Sequence, residues 1–164
     1  MLYVAISPAP KKEEERYEAR RLPPLRRGNL PTRLQTSLPF QQVLSLGCRE
    51  TQGGGGYAIN ISGDFNSMDI TGHENLTVYR VRFDEGTESR AERNFCAKCG
   101  SGLWVWDLRW PDLVHSFASS LDTQLPRPPV FTNLILKSKA SWVGVHEKPS
   151  DKRLAEYPDE SIAD

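Results

Sequence analysis

"NFCAKCGSGLWVW", residues 94–106, places two thiols two residues apart on a glycine-bearing turn and follows them at once with strand-forming residues. With that spacing Cys96 and Cys99 supply half of a tetrahedral zinc site, which takes four ligands from Cys, His or carboxylate. Gly100 suits a chain that folds back close to a metal, because glycine enters left-handed backbone space without steric cost. Leu103 and Val105 then alternate with Trp104 and Trp106, the period of a strand. The stretch therefore predicts a tight turn between a short strand ending at Phe95 and another opening at Gly102. Spacing alone leaves a zinc knuckle, incidental thiols and a redox pair open. A thioredoxin-like pair opens a helix, whereas "GSGLWVW" is glycine and aromatic strand formers, so the redox reading ranks last.

Strands are expected on either side of this turn. In "GYAINIS" Tyr57, Ile59 and Ile61 alternate with Ala58, Asn60 and Ser62, as in a half-buried strand, and "SGDFN" then turns the chain. In "LTVYRVRF" Tyr79, Val81 and Phe83 are expected inside, with Arg80 and Arg82 in water. "HSFASSL" and "VFTNLILKS" add two more strands, split by "DTQLPRPP", whose prolines forbid a central strand. Helix signals are thin: Pro111 and Asp112 could open one, and the tail "EKPSDKRLAEYPDESIAD" allows a short one at its start. The fold class is mainly β, of meandering antiparallel strands, with no internal repeat. The four tryptophans, Trp104, Trp106, Trp110 and Trp142, read as core and rim packing rather than as a ligand-stacking surface.

Composition bounds the function. The 164 residues suit one domain with a tail, and 21 basic against 21 acidic residues give no net charge. Nothing global favours nucleic acid or an anionic membrane, and no apolar run is long enough to span a bilayer. Three cysteines are too few and odd in number for a disulfide scaffold, which points to a reducing, cytoplasmic setting with thiols available to metal. Residues 1–40 hold eight Lys or Arg against four Glu and six of the twelve prolines. With few apolar residues at either period, residues 1–47 read as a disordered or atypical arm. The acidic "KKEEERYEAR" argues against a transit peptide. The domain proper is expected over 48–164.

Several ordered motifs carry a resemblance across this second part: "CRETQGGGGYAIN", "ISGDF", "ITGHENLTVYR", "NFCAKCGSGLWVWDLRWPDLVHSFASSLD", "LPRPP", "SKASWV" and "YPDESIAD". Together they resemble the glutathione-dependent formaldehyde-activating enzyme family, which also includes centromere protein V. That resemblance implies an antiparallel β-tent (Mss4-like) zinc-binding fold, carbon–sulfur lyase chemistry on the formaldehyde adduct of glutathione, and glutathione or that adduct as partner. It implies Zn2+ at two places. A structural ion would use an early C-x-C together with Cys96 and Cys99, and a catalytic ion would use a C-x-C-x-x-C ending at Cys48. A non-catalytic zinc-knuckle module is the alternative function.

The sequence departs from the family where the ligands should be. Counting back from Cys48, the C-x-C-x-x-C frame falls on Val43 and Ser45, and residues 1–47 contain neither Cys nor His. Valine has no donor atom, and a serine hydroxyl must ionise at a cost thiolate avoids. Cys48, Cys96 and Cys99 are the candidate metal ligands that remain. His73 reads as a turn residue, and His115 and His146 as ordinary strand or surface histidines. Glycines 53–56, though usual in linkers, run into a patterned strand and suit a close backbone approach to a metal-bound ligand. The abrupt start of the match at Cys48 is what a displaced exon boundary, a shifted reading frame or a degenerate copy produces.

Overall fold

The structure, a computed structural model, describes residues 5–6, 31–34, 39–52, 54–121 and 124–158. Ten strands and one α-helix are found among them, so the fold is mainly β. The chain falls into two units, Met1–Gln35 with Ile61–Pro126 and Thr36–Asn60 with Arg127–Asp164.

In the second unit β3 (Phe40–Val43) is central, and all four of its residues are buried. It runs antiparallel to the start of β4 (Ala58–Asp64), pairing Gln41 with Asn60 and Val43 with Ala58. On its other side it runs parallel to β9 (Phe131–Leu134), from Phe40↔Phe131 to Val43↔Leu134. β10 (Lys152–Arg153) is also parallel to β9. A parallel strand buried on both faces shows continuous burial rather than alternation, which is the pattern of β3. Helix α1 (Leu46–Gln52) follows β3. Ser45 begins it by accepting a hydrogen bond from the Cys48 backbone N–H at 3.2 Å, which satisfies one of the orphan donors of the first turn.

The first unit contains β1 (Ala5–Ile6), parallel to β2 (Pro31–Leu34), and β2 is antiparallel to the end of β4. The sheet continues in the order β4, β8 (Leu113–Phe117), β7 (Gly102–Asp107), β6 (Ala91–Cys96) and β5 (Leu76–Tyr79). Leu103, Trp104, Val105, Val114 and Phe117 are buried here, and a side chain such as Phe117 contributes about 2 kcal/mol by leaving water. A register shift between Asn94 and Phe95 marks a bulge just before the thiol turn. Such a bulge bends its strand and re-aims the side chains beyond it.

Several expectations need correction. The sheet is mixed, since β3 pairs in parallel with β9 and β9 with β10, so a purely antiparallel meander is wrong. The strand predicted over "LTVYRVRF" stops at Tyr79, and Tyr79 and Phe83 are exposed rather than inside. β4 is buried on both faces over most of its length, not on one, and it runs on to Asp64 through the predicted turn. β8 and β9 each end early, in short 3-10 turns at Ala118–Ser120 and Leu136–Ser138. "PDLVHSFASSLD" holds β8, in keeping with the strand reading, and no α-helix, whereas the described part of the tail holds β10 instead of a short helix. β3 lies upstream of residue 47, on the side assigned to the arm. Most of the arm, residues 1–4, 7–30 and 35–38, lies outside the described residues.

Candidate functional site

The thiol turn closes on itself through the backbone. Cys96 ends β6, its N–H donates to the Ser101 carbonyl at 2.9 Å, and its own carbonyl accepts from Gly100 N–H at 2.8 Å. Gly100 takes φ +70°, the left-handed conformation that such a reversal requires. A further bond, Ala97 N–H to the Asn75 carbonyl at 2.8 Å, fastens the turn to the 3-10 turn His73–Asn75. The two sulfurs differ in access: Cys96 is buried and Cys99 exposed. Cys99 Sγ lies 3.2 Å from Ser101 Oγ. Its partial burial works against the thiolate. The hydrogen bonds from the Ser101 side chain, the Ser101 backbone and Cys96 together outweigh it and hold the thiol below its ordinary value.

The other predicted ligand positions have different surroundings. Val43 is the last residue of β3 and is almost wholly buried. Cys48 is buried in the first turn of α1, in the second unit, whereas Cys96 and Cys99 belong to the first. Among the described residues no three of His, Cys, Asp and Glu gather closely enough to hold a metal ion. Tetrahedral zinc takes four donors, and the described turn supplies two sulfurs. The described residues therefore do not make up a complete zinc site.

A cleft of about 420 Å³ opens on one face of β5–β7. Glu92 and Asn94 of β6 lie beside Trp106 and Trp104 of β7 in register, and Phe65 and His73 wall the cleft. The Phe65 and Trp106 rings stand 5.5 Å apart at 34°, and Trp106 Nε1 is anchored by the Pro111 carbonyl at 3.0 Å. Leu76, another lining residue, pairs in register with Cys96, so the cleft adjoins the thiol turn. Sequence reasoning treated these tryptophans as packing. Trp104 is indeed almost fully buried, while Trp110 and Trp142 are largely exposed. The missed signal was the pairing of an i, i+2 polar couple, Glu92 and Asn94, with an i, i+2 tryptophan couple on the next strand. The arginines of "LTVYRVRF" are occupied: Arg80 pairs with Glu92, and Arg82 with Glu88 at 2.9 Å.

On the opposite face of the same strands Arg93, Val105 and His115 share one row across β6, β7 and β8. The His115 ring has a buried Nδ1 without a hydrogen-bond partner. Burial pushes its pKa down to about 4, although the charge of Asp107 acts the other way. Asp107 accepts from Arg109 Nε at 3.0 Å and Nη2 at 2.6 Å, which holds its carboxyl below the usual range against its partial burial.

A protein of Halomonas elongata, provisionally named a glutathione-dependent formaldehyde-activating enzyme, is 48% identical over 126 residues, spanning 77% of this chain and 80% of the relative. No family model matches the chain. A solved Rhodobacter sphaeroides protein aligns with a TM-score of 0.42 at 19% identity over 68% of this chain and 84% of that one. A likeness of that degree carries no argument.

Proposed function

The chain belongs to the glutathione-dependent formaldehyde-activating enzyme family, and from that premise we propose that it recognises glutathione or its formaldehyde adduct while its carbon–sulfur lyase turnover is impaired. The observation that carries this reading is the contrast between two ligand positions. The turn from Cys96 to Ser101 is fully built, whereas Ser45, which stands at a ligand position of the family's catalytic frame, spends its hydroxyl on capping α1. Zinc, the metal the family resemblance implies, would draw on Cys96 and Cys99 at one place and on Cys48 at the other, and the described residues complete neither ligand set. With Val43 and Ser45 in the frame, the second place retains one sulfur of three.

What the chain keeps for recognition is the cleft. Trp106 and Phe65 offer apolar ring faces, and Asn94 and Glu92 offer polar groups in a space of about 420 Å³, within the usual range for small-molecule sites. No helix among the described residues is long and apolar enough to cross a membrane.

Metal analysis of the reduced full chain, calorimetric titration with glutathione, and an assay of formaldehyde-dependent glutathione consumption test this reading. Less than one zinc per chain, measurable glutathione binding and no turnover are expected. Two tightly held ions per chain, or turnover that Cys48→Ser abolishes, would overturn it. Zinc without glutathione affinity would favour the non-catalytic module.

A further inference from the structure

The shortfall of ligands leaves two sulfurs with chemistry of their own. Cys96 and Cys99 stand three residues apart on one turn, which the bonds from Cys96 N–H to the Ser101 carbonyl and from Gly100 N–H to the Cys96 carbonyl close. One sulfur is exposed and the other is almost completely covered. Among the described residues no third metal-binding side chain joins them. A complete tetrahedral thiolate site protects its sulfurs by committing them to the metal, and this pair lacks the donors for that.

We infer that the Cys96–Cys99 turn is a reversible thiol–disulfide site, in which exposed Cys99 reacts first with a small-molecule disulfide and covered Cys96 resolves the product. The electrons balance as follows. The Cys99 sulfur attacks one sulfur of glutathione disulfide, forming a mixed disulfide and releasing one glutathione thiolate. The Cys96 sulfur then attacks Cys99 Sγ, the Cys96–Cys99 bond forms, and the second glutathione leaves, taking the Cys96 thiol proton. The dithiol is oxidised by two electrons and one disulfide is reduced to two thiols. The division of labour follows from access, since a first attack needs a sulfur that solvent-borne reagent can reach.

The sequence ranked a redox pair last because a strand, not a helix, follows the thiols, and β7 does follow. The closed turn that holds both thiols and their unequal exposure carry the inference instead. It goes beyond the reading of the previous subsection and shares with it only the incomplete ligand set, since it requires neither lyase turnover nor the cleft.

The test treats the full reduced chain, stripped of metal by chelation, with excess glutathione disulfide, followed by intact-mass and peptide-mass analysis. The wild-type chain is expected to lose two hydrogens as a Cys96–Cys99 link that dithiothreitol reverses. Cys96→Ser is expected to stop at one glutathionyl group on Cys99, and Cys48→Ser to close like the wild type. The wild-type result stands without either variant, so a variant that misfolds does not shield the inference. A wild-type chain that keeps both thiols, that stops at the mixed disulfide, or that links either thiol to Cys48 overturns it. So does a chain that purifies with a full equivalent of zinc and resists the same oxidant.

Discussion

Ser45 Oγ accepts the backbone N–H of Cys48 at 3.2 Å. Two positions that the family frame would join through a metal are thereby joined through a helix cap. Arg49 N–H reaches the Ser45 carbonyl at 3.0 Å, and Thr51 Oγ1 donates to the Gly47 carbonyl at 2.7 Å, so the seven-residue helix is anchored along its length. The hydroxyl therefore has a structural task at the start of α1.

Ser45→Ala removes the side-chain acceptor and leaves the Cys48 N–H orphaned beside a buried sulfur. A loss of about 1 kcal/mol in unfolding free energy is expected, read from urea denaturation at unchanged m-value. An unchanged midpoint would mean that solvent or the chain itself replaces the cap at no cost.

Restoring thiols at the frame positions tests whether the frame is the right one. Val43→Cys with Ser45→Cys would place three sulfurs at 43, 45 and 48, and metal analysis should show up to one more zinc per chain than the wild type. The exchange at buried Val43 is expected to cost about 1 kcal/mol before metal is added. If zinc content does not rise in a folded double variant, the assignment of Val43 and Ser45 to the frame is wrong.

The legible parts of this chain were those whose chemistry is local. The reversal at Cys96–Ser101 needs a glycine at its left-handed residue, and Gly100 announced it; the alternation over Gly102–Asp107 announced β7. β3 was not legible because Phe40–Val43, "FQQV", puts two glutamines among its four residues, yet Gln41 and Gln42 are both buried between partner strands. Burial there follows from long-range pairing with β4 and β9, which no local period encodes. Helix α1, Leu46–Gln52, is only two turns long, too short for a periodic signal. The failed extension of β5 has the opposite cause: "LTVYRVRF" has the right alternation, but the strand is the last in the sheet and nothing described covers its apolar residues.

Gly56 was read as allowing a close approach to a metal-bound ligand, and it allows a close approach to something else. A Cβ at Gly56 would meet Val143 Cγ2 at 2.4 Å and Trp142 Cη2 at 2.7 Å, at a residue with φ +75°. Gly56→Ala should therefore cost about 2 to 4 kcal/mol from overpacking and left-handed strain combined. Gly100→Ala, at φ +70° with nothing within 4 Å, should cost only the strain, about 1 to 2 kcal/mol. Equal destabilisation of the two variants in urea would refute the packing half of this account.

His115 gives the stability a slope on the acid side. Its folded pKa of about 4 lies below the ordinary value of 6.5, so between the two the unfolded chain binds the extra proton. Stability from keeping the ring neutral is fully present above about pH 6.5, falls as the pH drops, and levels off below about pH 4. Asp107, held down chiefly by its hydrogen bond to the Arg109 side chain, and Asp151, held down chiefly by the Phe131 N–H, lose their contributions only below the ordinary carboxylate value of 3.8. The interval from about pH 6.5 to about pH 4.5 thus isolates the histidine from these two carboxylates. Removing the ring nitrogens with His115→Leu should flatten the loss of unfolding free energy across this interval by at most about 3 kcal/mol. Urea titrations of both proteins at the two ends of the interval measure it, and parallel pH dependence in wild type and variant would show that the ring is not held neutral by burial.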